Sequence, residues 1–259
     1  MTSRFVAPRH VTDPALCNFY HTIEIPGYGL QQGRWDLRDG IDRYLPALSY
    51  EGASVLDIGT SNGFVCFELE RRGAQVIAFD LDERLVPIDT IPFHDLVLTR
   101  AGEDRVTVLD GVKNGFWLTH RALGSSARVV YGHANDIPED LGPVDIAFLG
   151  NILQHLRDPL GAIASAARVA SRIIVTEAYW QTDIDQDTPL MFFLPAMKDD
   201  EPPEHKCRSW WQVSSAMLTR WLEVLGYRID DRYFHDQFYA ETGHRIPHYT
   251  VVATRASPA

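Results

Sequence analysis

The chain has 259 residues, 45% of them hydrophobic, which suits one large domain with room for a small appendage. Its 24 Lys and Arg against 35 Asp and Glu leave a formal net charge of −11, a surface that repels phosphate backbones and anionic membranes, and no basic cluster offsets it. Cys17, Cys66 and Cys207 are odd in number and widely spaced, which argues against a disulfide framework or a zinc site. No apolar run is long enough for a membrane span and MTSRFVAPRH lacks a signal core, so a protein of a reducing, cytoplasmic compartment is expected.

Roughly the first 40 residues read as irregular, with a turn-rich stretch at 24–33. A helix is expected around 36–49, interrupted near Pro46. The run SVLDIG (54–59) has the continuous apolar pattern of a strand covered on both faces. NGFVCFELERRG (62–73) follows as a helix closed by Gly73, and QVIAFDLD (75–82) as a second strand. A helix at 113–125, strands at 128–134 and 144–150, a helix at 156–170 and a strand at 172–178 continue the alternation. The segment 214–227 places Met217, Leu218, Trp221, Leu222 and Leu225 on one helical face. Alternating residues at 227–234 and 247–255 predict a final antiparallel hairpin. The expected fold is α/β: a doubly wound, mostly parallel, seven-stranded sheet with its ligand site at the carboxyl ends of the strands. Insertions at 83–112 and 179–211 lie on that side, where long connections serve as lids or specificity loops.

The stretch VLDIGTSNGF (55–64) is a strand that breaks into glycines and restarts as a helix. Ser61 and Phe64 stand where a dinucleotide fingerprint needs its later glycines, and Gly63 is followed by no Lys, so neither a pyrophosphate cradle nor a P-loop is present. An adenosyl ligand without phosphate fits better. Asp80 ends the second strand, where a carboxylate meets ribose hydroxyls. HANDIP (133–138) follows the third strand and NILQHLRDP (151–159) the fourth.

These motifs resemble the class I S-adenosylmethionine-dependent methyltransferases over roughly residues 50–255, with Ser61 departing from the commonest glycine pattern. The segment at 20–38 further resembles the entry segment of a bacterial small-molecule subset, distantly similar to tRNA wobble-uridine methyltransferases. The resemblance implies an entry or lid segment at 1–49 and a methyltransferase domain at 50–259. It implies S-adenosylmethionine as cofactor and S-adenosylhomocysteine as product, with Gly59, Thr60, Ser61 and Gly63 around the methionine part. Asp57 would orient the ammonium, Asp80 with Leu81 the ribose, and Asn135 or Asp136 beside Ile137 the adenine. Gly150 and Asn151 would complete the cofactor site.

In-line methyl transfer to O, N or C needs alignment above all, with a general base where the acceptor enters protonated. His155, after the fourth strand, is the first candidate base, His21 in the entry segment the second, and Glu177 at the end of the fifth strand the third. Tyr20, Tyr179, Phe192, Trp210 and Trp211 are candidate walls of an acceptor pocket. No convincing metal set is present. The expected acceptor is a small organic molecule, a specialised metabolite; an RNA acceptor, or cofactor binding without methylation, are the alternatives. Whether the chain forms a homo-oligomer is left open.

Overall fold

Val55, Leu56 and Ile58 are buried because β4 (Ser54–Ile58), the strand that holds them, lies mid-sheet with both faces covered. The computed structural model describes residues 4–91, 105–180, 182–194 and 209–256. The remaining parts of the insertions at 83–112 and 179–211, with Cys207, lie outside the described residues. The other strands are β1 (Ile23–Ile25), β2 (Gly29–Gln31), β3 (Trp35–Asp36), β5 (Gln75–Leu81), β6 (Arg128–Gly132), β7 (Val144–Gly150) and β8 (Ala170–Ala178), then β9 (Met191–Phe193), β10 (Trp211–Val213), β11 (Tyr227–Tyr239) and β12 (His244–Arg255). The helices are α1 (Ile41–Tyr44), α2 (Phe64–Arg71), α3 (Val86–Asp89), α4 (Arg105–Leu123), α5 (Pro159–Val169) and α6 (Ser215–Val224).

The main sheet has eight strands in the order β3-β11-β12-β8-β7-β4-β5-β6, and β1 with β2 and β9 with β10 form two small antiparallel pairs. The five strands from β8 to β6 run parallel, while β12, β11 and β3 are antiparallel to their neighbours. From β4 the chain steps outward to β5 and β6, then returns to β7 on the other flank of β4. The order reverses there, and a crevice opens at the carboxyl ends. Side chains alternate between two cores. Val55, Ala78, Val129 and Phe148 meet α2, α4 and the N-terminal segment through Leu69, Trp117 and Trp35. Leu56, Ile77, Val130 and Leu149 meet α5 and α6 through Ile163, Leu218 and Leu222.

The doubly wound plan holds, with differences that have local causes. The eighth strand, β3, pairs Trp35 and Asp36 with Tyr239 and Phe238, and two residues show no periodicity to read. The stretch at 24–33, expected to be irregular, carries the β1–β2 hairpin. The helix expected at 36–49 shrinks to Ile41–Tyr44, because Leu45 before Pro46 is extended (φ −96°, ψ 124°). The helix expected from 113 is already formed at Arg105, the first described residue after 91. The final hairpin pairs from Tyr227↔Arg255 out to Tyr239↔His244, well beyond the expected strand ends. Its inward positions carry His235 and Gln237, both buried, so polar residues hid the alternation there.

Candidate active site

The turn after β4 is built from left-handed residues. Gly59, Ser61 and Gly63 have φ of 81°, 55° and 88°. At Gly59 the positive φ favours glycine, and a Cβ would stand 2.8 Å from Ile152 Cδ1 in the loop after β7. Ser61 accepts the glycine-like conformation because its N–H donates to Asp80 Oδ2 at 2.6 Å, while Leu81 N–H donates to Oδ1 at 2.6 Å. Burial pushes the Asp80 carboxyl up, and these two N–H groups and Lys113 oppose the shift. Under the turn lies Asp57, 2% exposed, whose Oδ2 has no hydrogen-bond partner. Burial pushes its carboxyl up to about 7, and Asp80 adds to the push.

Three further segments close the site. From the N-terminal side come Tyr20, whose hydroxyl accepts from Trp35 Nε1 at 3.2 Å, and His21. The His21 ring is buried and its Nδ1 is unpartnered, and burial pushes the imidazole down to about 4. After β6, the Asn135 N–H donates to His133 Nδ1 at 3.2 Å, which leaves Nε2 to donate to Asp89 Oδ2 at 2.7 Å. Asp89 Oδ1 accepts from Arg157 N–H at 2.7 Å and its carbonyl from Trp210 Nε1 at 2.8 Å. That one residue therefore joins α3, the loops after β6 and β7, and the late insertion. After β7, Asn151 (φ 52°) has its amide held by Ala178 N–H at 2.7 Å and His248 Nε2 at 3.0 Å.

The crevice holds a cavity of about 330 Å³. Among the residues expected around the cofactor, Gly59, Ser61, Asp80, Leu81, Gly150 and Asn151 line it. Asp57, Thr60 and Gly63 are off the lining, Asp57 and Thr60 being buried. Gly63 is required there by packing, since a Cβ would meet Phe67 at 2.4 Å. Asn135, Asp136 and Ile137 are off the lining. The Asn135 amide turns to the Asp158 carbonyl at 2.7 Å, Asp136 points to solvent, and Ile137 is buried with its N–H on Ser165 Oγ.

Of the candidate bases, His21 and His155 line the cavity and Glu177 does not. Glu177 Oε1 accepts from Leu153 N–H at 2.8 Å, capping the turn that carries His155. Burial pushes its carboxyl up to about 8 against the pull of the loop N–H groups. Of the candidate acceptor walls, Tyr20 lines the cavity. Tyr179 stacks on Tyr249 instead, and Phe192, Trp210 and Trp211 belong to or flank the β9–β10 pair. Sequence reasoning missed Asp89, His133 and Ile152. It also missed the stripe Arg105, Val108, Leu109 and Val112 on the first turns of α4, whose 3.6-residue spacing was the signal available. Among the described residues no group of three or more His, Cys, Asp and Glu is placed to hold a metal ion, and no helix is long and apolar enough to cross a membrane.

The family described as "Methyltransferase domain" matches residues 31–231. A ubiquinone biosynthesis O-methyltransferase of Xanthomonas oryzae pv. oryzae is 27% identical over 170 residues, 61% of this chain and 60% of that protein. The chain thus spans about 60% of the length of the curated relatives it matches. Among solved structures, a SAM-dependent methyltransferase from Methanosarcina mazei is 17% identical, with a TM-score of 0.52 and coverage of 86% of this chain and 100% of that one. The N-terminal domain of EvdMO1, crystallised in the presence of SAH and D-fucose, is 18% identical with a TM-score of 0.53, covering 91% and 90%. At these identities the two structures show a shared fold.

Proposed function

This chain belongs to the methyltransferase domain family, and from that premise we propose that it transfers a methyl group from S-adenosylmethionine to an O, N or C nucleophile of a small organic molecule of specialised metabolism. The observation that carries this reading is the cavity of about 330 Å³ at the carboxyl ends of β4 to β7, beside a glycine turn that follows a buried carboxyl group with one oxygen unpartnered. The residues fit the cofactor. Gly59 offers backbone rather than side chain, and Asp80 presents a carboxylate of the kind that accepts paired ribose hydroxyls. Leu81 and Ala134 line the same cavity as apolar neighbours for a purine. Asp57 Oδ2 is a buried acceptor without a donor, which an ammonium group satisfies.

When bound, the cofactor supplies a sulfonium-activated methyl group and leaves as a neutral thioether, so the chain's own task is chiefly alignment. Holding two reactants at near-contact distance is worth up to about 7–11 kcal/mol in favourable systems. His155 and His21, the two candidate bases for the acceptor's proton, both line the cavity; burial keeps the His21 imidazole neutral while lowering its basicity, and its Nδ1 has no hydrogen-bond partner. His155 lies across the same cavity, held near Ser209 Oγ at 3.5 Å, and Glu177 orders its loop. The net charge of −11 disfavours a phosphate-backbone acceptor. The curated relative's name, an O-methyltransferase of ubiquinone biosynthesis, favours an oxygen nucleophile on a small molecule.

Isothermal titration of the purified chain with S-adenosylmethionine tests the reading. Binding is expected, and Asp80→Ala is expected to weaken it about 10–100-fold, the scale of one or two hydrogen bonds to a charged group. Equal affinity in the variant would place the ribose elsewhere, and no binding by the wild type would end the proposal.

A further inference from the structure

Asn62 sits inside the glycine turn, has no exposed surface, and is not part of the cavity lining. Its Oδ1 accepts the His21 N–H at 2.8 Å and its Nδ2 donates to the His21 carbonyl at 3.1 Å. Both ends of the amide are therefore spent on the backbone of one residue in the N-terminal segment. Ser61 and Gly63, left-handed on either side, keep the turn backbone at the ligand while this side chain points away from it.

The segment so held is fastened elsewhere as well. Asn18 N–H donates to the Gly111 carbonyl at 2.8 Å and Asn114 Nδ2 to the Leu16 carbonyl at 3.1 Å, both on α4. Trp35 N–H donates to the Tyr20 carbonyl at 3.0 Å, and Thr22 N–H to the Trp35 carbonyl at 2.7 Å. Residues 16–22 thus run as a strap from α4 to the glycine turn, and they bring Tyr20 and His21 to the cavity. The backbone of His21 is tied on both sides while its Nδ1 stays unpartnered.

We propose that Asn62 is a positioning residue that makes Tyr20 and His21 part of the cofactor site, so that filling the glycine turn and fixing the His21 imidazole are one event. This rests on the cofactor reading above. A ligand that settles the backbone of Ser61–Gly63 settles the Asn62 amide, whose hydrogen bonds run to the His21 backbone. Such coupling is reciprocal: a strap held by Asn62 also holds the ligand.

Hydrogen exchange at residues 20–22 of the full chain, with and without saturating S-adenosylhomocysteine, tests this, with affinity measured separately by calorimetry. In the wild type the ligand is expected to slow exchange of the His21 amide by about tenfold or more, and in ligand-bound Asn62→Ala by less than about twofold. Asn62→Asp keeps an acceptor for the His21 N–H but sets a carboxylate against its carbonyl. It is expected to lose much of the ligand-dependent slowing, and it carries the comparison should the alanine variant not fold. A purely structural Asn62 leaves the ligand-dependent change equal in the variants and the wild type, and that result overturns the proposal. So does a wild type that binds the ligand with no change at 20–22. A wild type that binds no S-adenosylhomocysteine overturns the cofactor reading and this inference together.

Discussion

Asp57 is 2% exposed, has one oxygen unpartnered, and is pushed up to about 7 by burial. A carboxyl raised in this way keeps a proton that the unfolded chain, at about 3.9, has already lost. Its contribution to stability therefore falls as pH rises from about 4 to about 7 and is constant above. A cation against Oδ2 reverses the shift, so binding below pH 7 releases a proton. S-adenosylhomocysteine affinity is accordingly expected to rise with pH by up to about tenfold per unit and to level off near pH 7. Asp57→Asn is expected to flatten that profile, and calorimetry across pH 5–8 reads it; a flat wild-type profile would put the ammonium elsewhere. His21, at about 4, and His248, at about 3, stay neutral through this window, and Glu177, at about 8, faces its own loop. The sequence singled out Asp57, Gly59, Ser61 and Asp80 as candidates because they share one short motif and the adjoining strand end. Asp89 and Asn62 were hidden because their partners, His133 and His21, lie 44 and 41 residues away.

At the scale of elements, regular pieces were legible and short or polar ones were not. β4 to β8 announce themselves by apolar runs, and α5 by Asp158, which caps Gly161 N–H ahead of Pro159. β3 is two residues long and exists because Trp35 and Asp36 meet the end of β11. The outer half of the β11–β12 hairpin is held by polar pairs, Gln237 Nε2 with His235 Nδ1 at 2.9 Å and His235 Nε2 with Thr250 Oγ1 at 2.9 Å, which no hydrophobic pattern encodes. The strap at 16–22 depends on close backbone approach. At Gly33 a Cβ would lie 2.4 Å from the His21 carbonyl carbon, and backbone cannot swing aside as a side chain can. Gly33→Ala is therefore expected to destabilise the fold by about 1–3 kcal/mol and to weaken S-adenosylhomocysteine binding by displacing the strap. Thermal melts with and without ligand check both effects, and an unchanged melting temperature would mean the contact is relieved at no cost.

For the whole molecule, one sheet separates two cores, and the cavity opens at its carboxyl edge where β5 and β7 diverge around β4. Leu222 lies in the core on the α5–α6 side, fully buried and off the cavity lining. Leu222→Ala is expected to cost about 2–5 kcal/mol of stability while leaving cofactor affinity near the wild-type value, as denaturant melts and calorimetry together would show. A large affinity loss in that variant would mean the two ends of the sheet are coupled. The alternation of strands and helices, the doubly wound plan, the expectation of a crevice at the strand ends and the family resemblance were all determined by the sequence itself, because each rests on local periodicity or on a motif contiguous in the chain. Which side chains meet in the cavity was decided only by the tertiary structure. His133 finds Asp89, Asn62 finds His21, and Asn151 finds His248 across 97 residues. Such polar partners are chosen by packing, once folding has brought distant segments within hydrogen-bond reach.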